Sequence, residues 1–193
     1  MDNILTSLTG GRPVVPSCVD TRQLKYVVEF TSYPCVMLKM GDISNIRKIV
    51  AYIHRFEKKV MLHMDSLKGV AKDKEGARYL KQIGVDAVIS MRAQNIRMLH
   101  DAGLITLLGA FLVDSASVNQ TIQNVHTVKP DVLIAMPITV PDVIYQKLKR
   151  EITVPIMGGG LGVDHRVIDH AIECGVESCA VTDRAILDYY MRL

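Results

Sequence analysis

Tryptophan is absent, and aromatic residues make up only 5% of the chain, three Phe and seven Tyr among 193 residues. That is too little for the stacking platforms on which most single-strand RNA-binding modules rest. It leaves the 49% hydrophobic fraction to Val, Ile, Leu, Ala and Met, which suits an α/β core better than an all-β sandwich. The four cysteines, Cys18, Cys35, Cys174 and Cys179, show no CxxC spacing. Set in apolar surroundings, they read as reduced, buried, small hydrophobes. No run reaches the roughly 18 apolar residues of a membrane helix, and Met1 to Gly11 holds no apolar core of a signal peptide. A cytoplasmic protein without membrane contact is expected.

Charge is also unremarkable in amount. The formal net charge is +3 and the pI about 8.6, less basic than a dedicated nucleic-acid binder often is. Groups such as Lys147-Lys149-Arg150 and Lys68-Lys72-Lys74 read as solvated helix faces. DxD and HxH motifs are missing. His54, His100, His126, His165 and His170 fall on helical stretches, where exposed histidines are ordinary. No metal and no cofactor is therefore expected.

What the chain does have is a regular alternation. Apolar runs begin at Pro13, Cys35, Lys59, Asp86, Leu104, Val132, Val154 and Ser178. Each is followed by a stretch with apolar residues three and four apart, such as Ile46, Ile49, Val50 and Ile53. Asp20, Thr21 and Asp164 suit helix starts, Pro141 a first helical position, and Gly84, Gly103 and Gly175 helix ends. Ala110 to Val113 reads as an extension of the strand at Leu104 to Leu108. A short helical turn from Ile4 to Leu8 is placed to plug one end. Strict alternation with Val/Ile-rich strands predicts a parallel sheet. Eight units predict closure into a (β/α)8, TIM-barrel-like fold with short loops; an open doubly wound sheet, which usually has fewer strands, is the competitor. No linker or charge block divides the chain, so residues 1–193 read as one domain.

In such a barrel, functional residues stand at the C-terminal ends of the strands. The polar residues there are Ser17 and Asp20, Lys39 and Asp42, His63, Asp65 and Lys68, Arg92, Asp114 and Ser115, Thr139, and Thr182 and Asp183. The densest group lies in Lys59 to Gly69, where a base, a carboxylate, a hydroxyl and an ammonium follow a buried strand. His63 and Asp65 would share a face if the strand ran on through both. Ligand-binding roles are assigned to His63, Asp65, Lys68, Arg92, Asp114 and Ser115. The run Gly158-Gly159-Gly160-Leu161-Gly162 lets backbone approach a ligand and presents N–H groups and the next helix's N-terminus. With Thr182 it forms a candidate phosphate cradle from Gly158, Gly159 and Gly160, although Asp183 is an awkward neighbour for a phosphate. A barrel aldolase would want a lysine within a strand; Lys39 reads as the only lysine inside a strand run.

These same segments resemble the glycerol-3-phosphate-responsive antiterminators, the glycerol uptake operon antiterminator regulatory proteins. Leu62-His63-Met64-Asp65-Ser66-Leu67-Lys68-Gly69 is similar to the family's H-V-D-L-I-K-G-L signature. Leu38 to Ile43 resembles its L-L-x-G-D-I, Ala87 to Arg92 its G-I-I-S-T-R, Phe111 to Ser115 its F-L-L-D-S, Pro155 to Leu161 its P-I-I-A-G-G-L, and Ala180 to Thr182 its A-V-T-T-S. Order and spacing agree from about residue 13 onward. Departures include Gly109-Ala110 in place of an arginine before F-L-L-D-S, no glutamate in Leu133 to Met136, and Asp183 in place of Thr or Ser. The resemblance implies a barrel that binds glycerol 3-phosphate or a similar phosphorylated polyol and a leader mRNA, prevents early transcription termination, and is no catalyst. A homodimer is compatible with it. The alternative, drawn from the residues alone, is a small barrel enzyme acting on a phosphorylated substrate, with His63 or Asp65 as base.

Overall fold

The computed structural model describes residues 3–192; Met1, Asp2 and Leu193 of the expected domain lie outside them. The elements run α1 (Ile4–Thr9), β1 (Val14–Cys18), α2 (Thr21–Phe30), β2 (Cys35–Leu38), α3 (Ile46–His54), β3 (Lys59–His63), a 3-10 turn (Met64–Ser66), α4 (Lys74–Gln82), β4 (Ala87–Ser90), α5 (Ala93–Asp101), β5 (Ile105–Phe111), α6 (Ser115–Val128), β6 (Val132–Met136), α7 (Asp142–Glu151), β7 (Ile156–Gly158), α8 (His165–Glu173), β8 (Ser178–Val181) and α9 (Arg184–Met191).

All eight strands pair in parallel in sequence order, and the sheet closes where β1 meets β8, with Val14 opposite Cys179, Val15 opposite Ala180 and Pro16 opposite Val181. That pairing removes the open-sheet competitor. Strand side chains alternate between two apolar clusters because the side-chain period is two. Val15, Cys35, Met37, Met61, Ala87, Ile89, Leu107, Val132, Ile134 and Met157 fill the barrel's inside. Val14, Val36, Leu38, Val60, Leu62, Val88, Leu108 and Leu133 face the helices.

The helices start and stop by local chemistry. Asp20, Asp73, Asp114, Asp164 and Asp183 each accept a backbone N–H of the first turn of α2, α4, α6, α8 and α9. Gly84, Gly103 and Gly175 follow helices with positive φ. Two expectations need correction. Pro141 is the residue before α7 rather than its first, with extended backbone at φ −55°, ψ 146°. And β5, which does extend past Leu108 as expected, stops at Phe111 rather than at Val113.

The lead turns out as expected. Leu5 and Leu8 of α1 are fully buried in the interior cluster, and Gly10 closes the helix at φ 62°. The N-terminal end of the barrel is thus stoppered by leucine side chains.

Candidate functional site

Following the inward line of each strand one step past the apolar interior reaches the other end of the barrel. There stand Ser17, Lys39, His63, Met91, Gly109, Met136, Gly159 and Thr182, each two residues on from, or itself, an interior position. The ring divides. From β8 through β1 and β2 to β3 it is polar: Thr182, Ser17, Lys39, His63. From β4 to β7 it is thioether and glycine: Met91, Gly109, Met136, Gly159.

The polar arc holds an unpaired hydroxyl and a half-buried ammonium. Ser17 is 3% exposed, and its hydroxyl is the buried side-chain oxygen without a hydrogen-bond partner among the described residues. Buried hydroxyls are nearly always paired, so this one is poised for something polar. Lys39 follows β2 and is half-buried; burial holds its pKa below the ordinary lysine range. His63 closes β3. Its pKa is pushed down, first by burial and then by the Lys39 ammonium, with the Asp65 carboxylate pulling the other way. A partly desolvated ammonium crowded against the His63 imidazole, with an unpaired hydroxyl on the neighbouring strand, favours an anion.

The apolar arc is filled. A Cβ on Gly109 would lie 2.4 Å from Met91 Sδ and 3.4 Å from Met136 Cε; one on Gly159 would lie 3.1 Å from Met136 Cγ. The two glycines therefore make room for two methionines that lie over that half of the opening. The sequence departure at Gly109 and the presence of Met91 are one packing event.

Several of the expected site residues do other things. β3 ends at His63, and Asp65 sits in the 3-10 turn, so the two do not share a strand face. Asp65 Oδ2 accepts the Met91 N–H at 2.9 Å, while Oδ1 receives Lys72 Nζ at 3.3 Å. Lys68 is exposed; its backbone bridges to Asp42, with its N–H on Gly41 O and its C=O taking Ile43 N–H. Arg92 is exposed where α5 begins. The Asp114 carboxylate caps α6 by accepting Ser117 N–H at 2.7 Å, and Ser115 is that helix's exposed first residue.

The glycine run also divides. Gly158 belongs to β7, and a Cβ there would press on Ile138 Cγ2 at 2.7 Å and Cys179 Sγ at 2.9 Å. The Gly159 N–H is taken by Ala135 O at 3.0 Å. Gly160 has φ +70° and open space around its absent Cβ, so it alone combines a special backbone with room for a ligand. The N-terminus of α8 is filled by Asp164, which also pairs with Arg166 at 2.8 Å. That of α9 is filled by Asp183, bonded to Ala185 and Ile186 N–H. Asp183 thus serves as a cap, and neither helix end is open to an anion. Positive charge at the mouth comes from Lys39 instead.

Around this opening, the loops after the strands expose apolar side chains: Val19, Ile43, Phe111, Val113, Leu161 and Val163, with Val143 in the first turn of α7. Leu161 takes φ 58°, a left-handed conformation that non-glycine residues rarely adopt. The five helix histidines do lie on helices. One of them, His170, meets Asp142 and Cys174, and Cys174 is partly exposed, unlike the other three cysteines and unlike the expectation of four buried ones. Its neighbour Asp142 comes from a different helix, which sequence spacing does not reveal.

A protein of 25% identity over 183 residues, spanning 94% of this chain and 95% of its own length, is the uncharacterised protein YgcP of Escherichia coli strain K12. Two solved structures share the fold closely. The glycerol uptake operon antiterminator regulatory protein of Listeria monocytogenes str. 4b F2365 superposes with a TM-score of 0.85 at 20% identity, over 91% of this chain and 94% of that one. A glycerol uptake operon antiterminator-related protein of Thermotoga maritima MSB8 gives 0.82 at 19% identity, over 92% and 98%. Residues 14–187 match the family described as glycerol-3-phosphate responsive antiterminator. That span takes in every strand and the whole polar arc of the mouth, and the chain belongs to this family of regulators.

Proposed function

We propose that the chain senses glycerol 3-phosphate or a similar phosphorylated polyol in the barrel mouth, and that occupancy governs its hold on a leader mRNA, preventing early transcription termination. The observation that carries the ligand site is the buried, unpartnered hydroxyl of Ser17 on β1, with half-buried Lys39 after the neighbouring strand β2. In this reading Lys39 and His63 face the phosphate, with the Gly160 backbone and Thr182 beside it, and Ser17 takes a phosphate or polyol oxygen. Asp65 acts by holding the end of β4 and its Met91 in place. The RNA is met by basic side chains outside the barrel, and its binding weakens as salt rises. A protein that works on transcripts in this way acts in the cytoplasm; among the described residues, no helix is long and apolar enough to cross a membrane. The apolar rim suits pairing of two copies, which light scattering with and without ligand reads directly.

A thermal-shift screen of phosphorylated polyols tests the site. A ligand at about 100 times its Kd adds about 2.7 kcal/mol, and no shift with any phosphorylated compound sinks the reading. Retention of labelled leader RNA only when the ligand is present, and less of it at higher salt, supports the regulatory half; retention indifferent to ligand counts against it. Lys39 would suit a Schiff-base lysine in an aldolase. Turnover of sugar phosphates, or borohydride trapping of one on Lys39, would move the assignment from sensor to enzyme.

A further inference from the structure

Outside the barrel, α7 and α8 bring three donor side chains to one spot. Asp142, the first residue of α7, puts Oδ1 2.8 Å from His170 Nε2. Cys174, just past the end of α8 and four residues beyond His170, puts Sγ 3.8 Å from the same nitrogen. The three donor atoms lie within 4.8 Å of one another. The spacing of four sets His170 and Cys174 on one helix face, and Asp142 completes the group from the neighbouring helix.

Cysteine, histidine and aspartate together also suit a nucleophile relay. In a relay, the thiol and the carboxylate address opposite nitrogens of the ring, so that a proton passes through it. Here both address Nε2, and no relay can run. Three donors converging on one point suit a cation. The other ring nitrogen, Nδ1, has Glu173 Oε2 at 3.8 Å, too long for a hydrogen bond, but a rotation of this exposed side chain would bring it into the outer-shell place that orients a metal-bound histidine.

The donor set selects the ion. Thiolate with imidazole and carboxylate suits zinc, whereas magnesium and calcium take all-oxygen shells. A thiolate and a carboxylate also neutralise a divalent ion. The facing charges are mixed: Lys149 and Arg150 from α7 against Glu173 from α8, all lining a cleft of about 610 Å³ with Gln146. A second cleft of about 490 Å³, lined by Thr139, Pro141, Asp164 and Arg166 among others, shares Asp142 and His170. The cluster therefore stands in the open between two clefts, with room for water or a donor from a small ligand at a fourth position.

We propose that Asp142, His170 and Cys174 form a zinc site with one open position, tying α7 to α8 on the outer face, separate from the mouth. The full chain, reduced and stripped with a chelator, is titrated with cobalt(II) and then zinc. One equivalent of cobalt should give a thiolate-to-cobalt charge-transfer band, which zinc then displaces. Cys18, Cys35 and Cys179 are buried, so the band reports Cys174. Cys174→Ser should abolish it and weaken zinc at least about tenfold, a change on the scale seen when even an outer-shell partner is lost. His170→Gln and Asp142→Asn should each weaken zinc similarly, Glu173→Gln less, and His126→Gln not at all. All are at least partly exposed positions, and circular dichroism confirms that the variants fold. Absence of the band, its survival in Cys174→Ser, or zinc affinity indifferent to all three substitutions overturns the site.

Discussion

The carboxylate of Asp65, in the turn after β3, holds the backbone of Met91, at the end of β4, through an Oδ2 to N–H hydrogen bond of 2.9 Å. Met91 in turn covers Gly109 on β5. One carboxylate thus fixes the shape of the mouth across three strands. Asp65→Ala leaves the Met91 N–H without its acceptor and should cost about 1–3 kcal/mol. Asp65→Asn, which keeps an oxygen there, should recover part of it. Thermal unfolding without ligand is the measurement; an Asp65→Ala protein as stable as wild type would mean that the bond contributes nothing.

Ser17 should behave in the opposite way. Its hydroxyl is buried and unpaired, so Ser17→Ala removes an uncompensated polar group. The ligand-free protein should be unchanged or stabilised by up to about 1–3 kcal/mol, while the thermal shift given by a phosphorylated polyol shrinks. Loss of stability without loss of the ligand-induced shift would assign Ser17 to the fold alone.

The pH response follows from His63. Its folded pKa lies below the ordinary value of 6.5, so the unfolded chain takes up the proton first. The stability from keeping His63 neutral is complete above about 6.5 and is lost as pH falls through the folded value. His63→Gln should flatten that decline. Lys39→Met, by removing the neighbouring ammonium, should raise the His63 pKa, as should a bound phosphate. NMR titration of the His63 ring checks both shifts.

The glycines after β7 should separate in the same assay. Gly158→Ala forces a methyl against Ile138 and Cys179 and should cost about 1–3 kcal/mol. Gly160→Ala meets only the left-handed backbone penalty of about 1–2 kcal/mol, but its methyl points into the space offered to phosphate, so ligand affinity should fall as well. Ligand-induced shifts set beside apparent stabilities for the two variants distinguish packing from binding.

Strands and helices were legible because each is governed by near neighbours. The Ile46-Ile49-Val50-Ile53 stripe, the aspartate caps and the glycine stops act within a few residues. Closure was legible only as a count of units, since what closes the barrel is Val15 of the first strand meeting Ala180 of the last. The site was half legible. Polar residues at strand ends mark the mouth, but their type does not say which way they point. Asp114 is ligand-like in composition and a helix cap in fact. Lys39 and Ser17 were visible as strand-end residues, yet their roles come from burial. Asp142, His170 and Cys174 lie on two helices, and no spacing rule connects them.

The stopper of Leu5 and Leu8, below an interior packed with side chains, leaves the mouth as the one end a ligand can reach. Whatever enters past Lys39 and His63 must leave by the same rim. A partner seated on that rim, RNA or a second copy, therefore slows escape of the small molecule beneath it. Entry is slowed as much as escape, so access by itself changes rates and not affinity; any change in affinity needs contacts between the two occupants, and is then reciprocal. A fold closed at one end thus lets a partner gate the exchange of the small molecule, with no rearrangement of the strands required.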